Sequence, residues 1–142
     1  LFFTLRNKES NRKYSGNLKK ISIKNHNEWF NQNYKSKLFY TCYINSKKIG
    51  YIRGKERDNI ITISIAINKK YHGKGYSSTI YNLFENKIKS NSIILAKVHV
   101  SNKPSIRFFL KNNYEILNKN KTNYLFYKIF NQKIITLIGW IY

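Results

Sequence analysis

The sequence is poor in the residues that form disulfides, metal sites and acidic surfaces. Its 142 residues include one cysteine, three histidines and six acidic side chains. A lone cysteine, Cys42, excludes an internal disulfide and favours a reducing cytoplasm as the compartment. One cysteine and three scattered histidines also lack the spacing of metal ligands, so we predict no metal site.

Long apolar segments are also missing. The apolar stretch at residues 134–142 is too short to span a bilayer as a helix and contains Gly139. No segment has the pattern of a signal peptide, so neither membrane insertion nor export is predicted. A chain of this length suits one domain with a single core. Because the sequence starts at Leu1, we expect the amino-terminal part of that domain to be incomplete.

The chain has a large excess of basic residues over acidic ones. Its 27 Lys and Arg residues outweigh the six acidic ones and give a formal net charge of +21. The excess is mostly lysine, spread along the chain beside abundant Asn, Ile and Tyr, whose codons are rich in A and T. Genome composition is therefore a sufficient explanation. No Arg-rich helix or RNA-binding motif accompanies the charge, so we predict attraction of small anions rather than specific nucleic-acid binding.

The segment from residue 60 to residue 90 carries the clearest pattern. Ile60 to Ile67 is a β-branched run that predicts a buried strand. A basic loop with Gly73 and Gly75 follows, and apolar residues at helical spacing begin after Ser77. A helix N-terminus behind a glycine loop has unpartnered amides and favours an anion. A tight strand-to-helix turn would give the same pattern, and neither a dinucleotide fingerprint nor a Walker loop fits.

Two blocks resemble the signature of the GNAT superfamily, the acyl-CoA N-acyltransferases. Lys70, Gly73 and Gly75 align with the pattern Arg/Gln-x-x-Gly-x-Gly/Ala. The segment Asn102 to Tyr114 resembles the downstream block Asn-x-x-Ser/Ala-Ile-x-x-Tyr/Phe-x-x-x-Gly/Asn-Phe/Tyr. Since order and spacing both match, the chain is identified as a member of the superfamily. The resemblance implies an α/β (α+β) fold, a central mixed sheet flanked by helices, with its first strand expected to be missing here.

Element boundaries follow from periodicity and capping residues. We predict one GNAT domain over residues 1–130 and an extension at 131–142. Predicted helices cover residues 1–6, 23–34, 77–90 and 104–111. Predicted strands cover residues 37–44, 48–57, 60–67, 92–100, 114–117 and 124–130. The strands at 60–67 and 92–100 are expected to be parallel because a helix connects them.

The resemblance implies acetyl-CoA as the co-substrate. Loop amides would hold its pyrophosphate, and the strand edge ending at Ile67 would pair with pantetheine and polarise the thioester carbonyl. Asn102 and Ser105 match positions that contact the pantetheine arm. The complete predicted set is Ile65, Ala66, Ile67, Lys70, His72, Gly73, Lys74, Gly75, Tyr76, Ser77, Asn102, Ser105 and Phe109.

The resemblance leaves the proton-transfer groups open. Phe109 stands where many relatives carry the tyrosine that protonates the departing thiolate, so a water, the substrate or another tyrosine must serve. The strand at 60–67 has no carboxylate to act as base. His99 and His26 are the candidate catalytic bases because imidazole titrates near neutrality. For each of them, packing or simple surface exposure is the competing explanation.

The amino-terminal region resembles the branch that acetylates nucleotide-linked amino sugars, as in pseudaminic- and legionaminic-type pathways. The resemblance is carried by Leu5, Arg6, Asn7, Arg12, Ser15, Ile21, His26, Trp29 and Phe30. Arg6, Asn7 and Arg12 are predicted to bind the acceptor, a small anionic amine, whereas Trp29 and Phe30 are expected to pack their helix on the sheet. The predicted function is N-acetyltransfer by direct attack of that amine. The alternatives are acetylation of a protein N-terminus or another small amine, and acyl-CoA binding without turnover.

Overall fold

One sheet with flanking helices organises the chain. The computed structural model describes residues 1–15 and 18–130. The helices are α1 (Phe2–Asn7), α2 (Glu9–Arg12), α3 (Ile23–Asn33), α4 (Tyr76–Glu85) and α5 (Lys103–Lys111), with a 3-10 turn at Lys69–Tyr71. The strands are β1 (Phe39–Ile44), β2 (Lys47–Arg57), β3 (Ile60–Ile67), β4 (Ser92–His99), β5 (Glu115–Lys119) and β6 (Asn123–Phe130). They form a mixed sheet in the order β1-β2-β3-β4-β6-β5, which confirms the predicted fold class.

Tight turns produce the first half of the sheet. β1, β2 and β3 are successive antiparallel neighbours joined at residues 45–46 and 58–59. Asn45, Ser46 and Asp58 take up left-handed backbone there, with φ of 45°, 61° and 55°. Two-residue hairpin connections need such conformations, and Asn and Asp tolerate them better than most side chains. The predicted meander over residues 37–67 is therefore confirmed.

The two faces of the sheet carry different helices. Side chains alternate between faces along a strand. On β2, the Arg53 guanidinium lies 5.0 Å from the ring centre of Trp29 in α3. On the opposite face, a Cβ added to Gly54 would come within 3.1 Å of Phe84 in α4. Residue 54 therefore has to be glycine for α4 to approach the sheet, and α1 and α3 are left to cover the other face.

The hydrophobic core lies between the sheet and the helices α4 and α5. Tyr81 and Phe84 from α4 and Ile94 and Phe126 from the strands are each at most 2% exposed. Phe109 from α5 stacks on Phe126 with 5.7 Å between ring centres. Burying a side chain of this size contributes about 1.5–3 kcal/mol to folding. This core fixes the two central strands on which the site is built.

The prediction of a helix to residue 90 was wrong at its end. α4 stops at Glu85, and the amides of Lys87 and Ile88 then donate to carbonyls three residues earlier, as in tight turns. Ile88 is 3% exposed, and Asn91 with φ of 65° turns the chain into β4. The apolar spacing continued past the helix because the turn also buries a side chain. The short helix α2 was not among the predicted helices.

The other predicted boundaries agree with the structure to within one or two residues. Ser22 caps α3 by accepting a hydrogen bond from the Asn25 amide, and Asn113, just after α5, has a left-handed φ of 64°. The predicted extension at 131–142 lies outside the described residues. Among the described helices, none is long and apolar enough to cross a membrane.

Candidate active site

A wedge opens between the two central strands at their carboxyl ends. β3 and β4 pair in parallel only between residues 60–62 and 93–95. Beyond that point β3 remains bonded to β2, and β4 remains bonded to β6. Each strand therefore turns one backbone edge towards the wedge. An extended ligand can pair with such an edge as an added strand.

The amide of Ile67 points into this wedge. The neighbouring residue, Asn68, donates its backbone N–H to the Ile49 carbonyl at 2.8 Å, which makes these two residues a bonded pair across β2 and β3. Bonded and non-bonded pairs alternate in an antiparallel ladder, so the next pair, Gly50 and Ile67, directs its backbone groups away from the partner strand. Nε2 of His72 donates to the outward Ile67 carbonyl at 2.8 Å and ties the following loop to β3.

Two glycines shape the loop between β3 and α4. Gly73 and Gly75 have left-handed φ of 72° and 78°. A Cβ placed on either residue would meet no atom within 4 Å, so the space above the loop is open. The amides of Ser78 and Thr79 donate to the Gly75 carbonyl, which makes them the first bonds of α4, and the amides of residues 73–77 precede them. Such amides, together with the helix dipole, suit a phosphate.

The start of α5 builds the other side of the wedge. The Asn102 amide donates to the His99 carbonyl, so α5 begins directly beyond the end of β4. Oδ1 of Asn102 accepts a hydrogen bond from the Ser105 amide at 3.3 Å and caps the helix. Asn102 and Ser105, predicted from the resemblance to contact pantetheine, are therefore held together at the β4 side of the opening.

The amino-terminal segment contacts both sides of the wedge, at the carboxyl ends of β3 and β4. Nζ of Lys8 donates to Oδ1 of Asn68, just after β3, at 3.3 Å. The ring centre of Tyr14 lies 6.2 Å from that of His99, the last residue of β4. The segment between α1 and α3 thus borders the place where the two strands separate.

A cavity of about 270 Å³ lies on the α1 and α3 face of the sheet. Its lining residues are Phe2, Arg6, Ile21, Asn25, His26, Trp29, Tyr51 and Arg53. Tyr51 and Arg53 pair with Ala66 and Ser64 of β3, so the cavity runs beside the half of β3 that borders the wedge. The lining includes two arginines and no carboxylate.

Comparison with known proteins identifies the family. The family model described as Acetyltransferase (GNAT) family matches residues 5–114, which is more than half of the chain. The chain belongs to this family. It is therefore a GNAT acyltransferase, as its signature blocks predicted. The comparison with curated proteins returns no match.

Solved structures share this GNAT fold at low sequence identity. The smu.2055 protein of Streptococcus mutans UA159 has a TM-score of 0.76 at 19% identity over 90% of each chain. The yncA protein of Salmonella typhimurium, solved with its cofactor acetyl-CoA, has a TM-score of 0.71 at 12% identity over 91% of this chain and 86% of that one. The ribosomal-protein-alanine N-acetyltransferase of Brucella melitensis has a TM-score of 0.69 at 13% identity over 90% and 91%.

Of the two candidate bases, His26 lies at the cavity on the α1 and α3 face of the sheet. Its side chain lines the cavity and is 8% exposed. The rings of Phe3 and Trp29 flank it, with centres 5.4 Å and 5.8 Å away. Burial lowers the pKa of His26. The imidazole is therefore neutral at physiological pH and is the form that can accept a proton.

His99 has a different hydrogen-bonding state. The Ser101 amide donates to Nδ1 of His99 at 3.2 Å, and the Ser101 hydroxyl oxygen lies 2.8 Å from the same atom. Because this amide occupies the Nδ1 lone pair, the proton of the neutral ring is on Nε2. His99 therefore presents an N–H donor at the end of β4. The structure does not favour it as the base.

Of the three predicted acceptor residues, the structure places only Arg6 in the cavity. Both amide atoms of Asn7 are bonded to the backbone of Ile21, at 3.0 Å and 2.9 Å, and join α1 to the start of α3. Nη1 of Arg12 donates to the Leu18 carbonyl at 3.1 Å and closes the loop that follows α2. Asn7 and Arg12 thus hold the amino-terminal segment in place.

Phe109 has a packing role. It is 4% exposed, and its ring lies 4.9 Å from Tyr114 and 5.7 Å from Phe126 between centres. The position predicted for contact with the co-substrate therefore belongs to the core. Tyr114 is also buried, and burial raises its pKa, so its hydroxyl is a poor proton donor for the wedge. Tyr114 therefore does not replace the missing tyrosine.

The residues missed from the sequence come mainly from β2. Tyr51 and Arg53 alternate with the buried Gly50, Ile52 and Gly54, which is the period-two pattern of one strand face. That pattern could have placed their side chains together. It could not have shown that α1 and α3 face them.

Proposed function

We propose that this GNAT protein moves an acetyl group from acetyl-CoA to the amine of a nucleotide-linked amino sugar. The supporting observation is the juxtaposition of two features on one strand. The wedge and its glycine loop lie at the carboxyl end of β3, and the cationic cavity runs beside the same half of that strand. The wedge and its glycine loop suit a phosphorylated thioester, and the cationic cavity suits an anionic amine.

The residues around the wedge fit acetyl-CoA as co-substrate. The open space over Gly73 and Gly75 leaves room for a pyrophosphate next to the amides that precede α4. Lys70 and Lys74 add positive charge to the same loop. The β3 edge ending at Ile67 would pair with the pantetheine arm. Acetyl-CoA itself supplies the acetyl group as an activated thioester.

The chain's own groups would then orient and deprotonate the acceptor. The Ile67 amide, directed into the wedge, is a donor for the carbonyl oxygen under attack. Neutral His26 in the cavity wall is the base proposed to take the proton of the amine, directly or through one water. Arg6, in the same wall, would face the phosphate groups of the acceptor.

The other readings predict different acceptors. The Brucella relative's name concerns a ribosomal-protein alanine, which makes a protein N-terminus the second candidate acceptor. The cavity favours a small anion instead, because its walls bring two guanidinium groups together without a carboxylate. The buried single thiol, Cys42, is compatible with a reducing cytoplasm, where we propose that the reaction occurs.

A direct assay separates these readings. The full chain is incubated with acetyl-CoA and one of two acceptors, a UDP-linked amino sugar or a peptide with an N-terminal alanine. Buffer without an acceptor is the control. Free thiol release and product mass are followed together. We expect acetylation of the nucleotide sugar. Acetylation of the peptide alone would transfer the function to the second candidate, and calorimetric binding of acetyl-CoA without any product would indicate a domain that binds acyl-CoA but does not turn it over.

A further inference from the structure

We propose that Arg53 binds an oxyanion of the acceptor, a phosphate or a carboxylate, and thereby sets which amines the enzyme accepts. This inference rests on the proposed N-acetyltransferase function for its catalytic meaning. The binding itself does not depend on turnover. Nothing in the signature blocks of the family points to this residue, because it lies outside both of them.

Arg53 occupies the boundary between two cavities. It lines the cavity of about 270 Å³ described above and also a second one of about 280 Å³. The second cavity continues towards the sheet edge and is lined in part by Lys37, Lys55 and Glu56, so the anion site is assigned to the first cavity, whose lining has no carboxylate. Because Arg53 pairs with Ser64 and Tyr51 pairs with Ala66, the first cavity is the one nearer to the wedge. An acceptor could place its amine by the wedge and its charged part at Arg53.

The guanidinium is held in position, and its Nε lacks an acceptor among the described residues. It lies 5.0 Å from the ring centre of Trp29, at stacking distance. Its Nε is buried, and over residues 1–15 and 18–130 no hydrogen-bond partner faces that atom. Buried polar groups are almost always satisfied in folded proteins, so a positioned guanidinium with an unsatisfied donor calls for a partner. A planar oxyanion matches the fork of an arginine.

The surroundings favour an anion and oppose a cation. Arg6, Asn25 and Tyr51 bring further donors to the same cavity, and its lining contains no acidic residue. Asn25 belongs to the first turn of α3, where the helix dipole is positive. The positive charges of Arg53 and Arg6 both act on the Tyr51 hydroxyl and partly offset the rise in its pKa that burial causes. These groups therefore converge on one space.

The binding test uses small anions and a local probe. The full chain is titrated with inorganic pyrophosphate and, separately, with succinate, while the indole N–H signal of Trp29 is followed by NMR and assigned with a Trp140→Phe variant. Saturating coenzyme A is present to fill the glycine loop. We expect pyrophosphate to shift the Trp29 signal. A shift by succinate alone would favour a carboxylate-bearing acceptor and would refute the nucleotide sugar while leaving the role of Arg53 intact.

Three variants decide whether Arg53 is responsible. Arg53→Gln should weaken anion binding by about tenfold or more, the size of one lost charge-assisted contact. Arg53→Lys keeps the charge but loses the fork, and should fall between that variant and the parent. Lys48→Gln removes one charge from an exposed position on the same strand and should change the affinity by less than about twofold.

The same variants give a kinetic signature. If the protein catalyses acetyl transfer, Arg53→Gln should raise the KM for the anionic acceptor and leave the KM for acetyl-CoA unchanged. Thermal unfolding of each variant shows that the fold survives. Parental affinity for both anions in Arg53→Gln, or no shift of Trp29 with either anion, would overturn the inference. If coenzyme A fails to bind while Trp29 still responds to anions, the proposed function fails and the Arg53 site stands.

Discussion

Substituting valine for Gly75 tests the glycine loop with two separable effects. Gly75 has a φ of 78°, a conformation that β-branched residues strongly avoid. Its Cβ would project into open space and not into the protein, since nothing lies within 4 Å of it. The backbone strain acts on folding, whereas the added bulk acts on whatever occupies the space above the loop.

The two magnitudes follow from that geometry. A non-glycine residue held in left-handed backbone costs about 1–3 kcal/mol, so Gly75→Val should lower the free energy of unfolding by about that amount. A pyrophosphate pushed away from the amides before α4 loses several charge-assisted hydrogen bonds. Each tenfold loss of affinity corresponds to about 1.4 kcal/mol, so we expect acetyl-CoA affinity to fall by about tenfold or more.

The assay compares calorimetric titration with acetyl-CoA and urea unfolding of the same samples. Asn113→Val provides the control, because Asn113 has a φ of 64° at the far end of α5. It should lose comparable stability and keep the parental affinity for acetyl-CoA. The reasoning is refuted if Gly75→Val binds acetyl-CoA as tightly as the parent, or if Asn113→Val loses the same affinity.

Three other substitutions or modifications test the interior. Phe109→Tyr should lower Tm, because a hydroxyl in this packed position lowers the free energy of unfolding by about 1–3 kcal/mol. Its kcat should stay at the parental level, and a rise in kcat would restore a proton-donor role for this position. Lys128→Met leaves the largely buried Glu85 carboxylate without its cation, so the free energy of unfolding measured in urea should fall by about 2 kcal/mol. The control Lys97→Met changes an exposed residue and should alter that free energy little. Burial raises the pKa of Cys42 to about 11, so iodoacetamide at neutral pH should label this thiol only after unfolding, and rapid labelling of the native protein would contradict its burial.

Most of the fold could be predicted because local chemistry specifies it. The β-branched run from Ile60 to Ile67 favours a strand, and Ser22 is a good helix cap. Asn113 has left-handed backbone after α5, a conformation that Asn tolerates better than most residues. α4 was overextended because periodicity reports which side chains are buried, and Ile88 is buried from a turn.

The wedge was anticipated only through the resemblance. A parallel strand pair follows from the helical crossover, but the point at which β3 and β4 separate depends on what each strand meets at its other edge. That information is spread over β2 and β6. The direction of the Ile67 amide likewise depends on a bond between Asn68 and Ile49, which no local pattern contains.

The acceptor side shows why proximity in sequence was a poor guide to binding. Arg12 was predicted to bind the acceptor together with Arg6, yet it is the last residue of α2, and its Nη1 donates to the Leu18 carbonyl, six residues further along the chain. Arg53 lies in β2, and its side chain stands on the face of the sheet that α3 covers. It meets the ring of Trp29 from α3 and retains a buried Nε without a partner in the described part of the chain. Arg12 also has a buried Nε without a partner in the described residues, but only Arg53 of the two lines a cavity, and Arg53 is therefore better placed to bind a ligand.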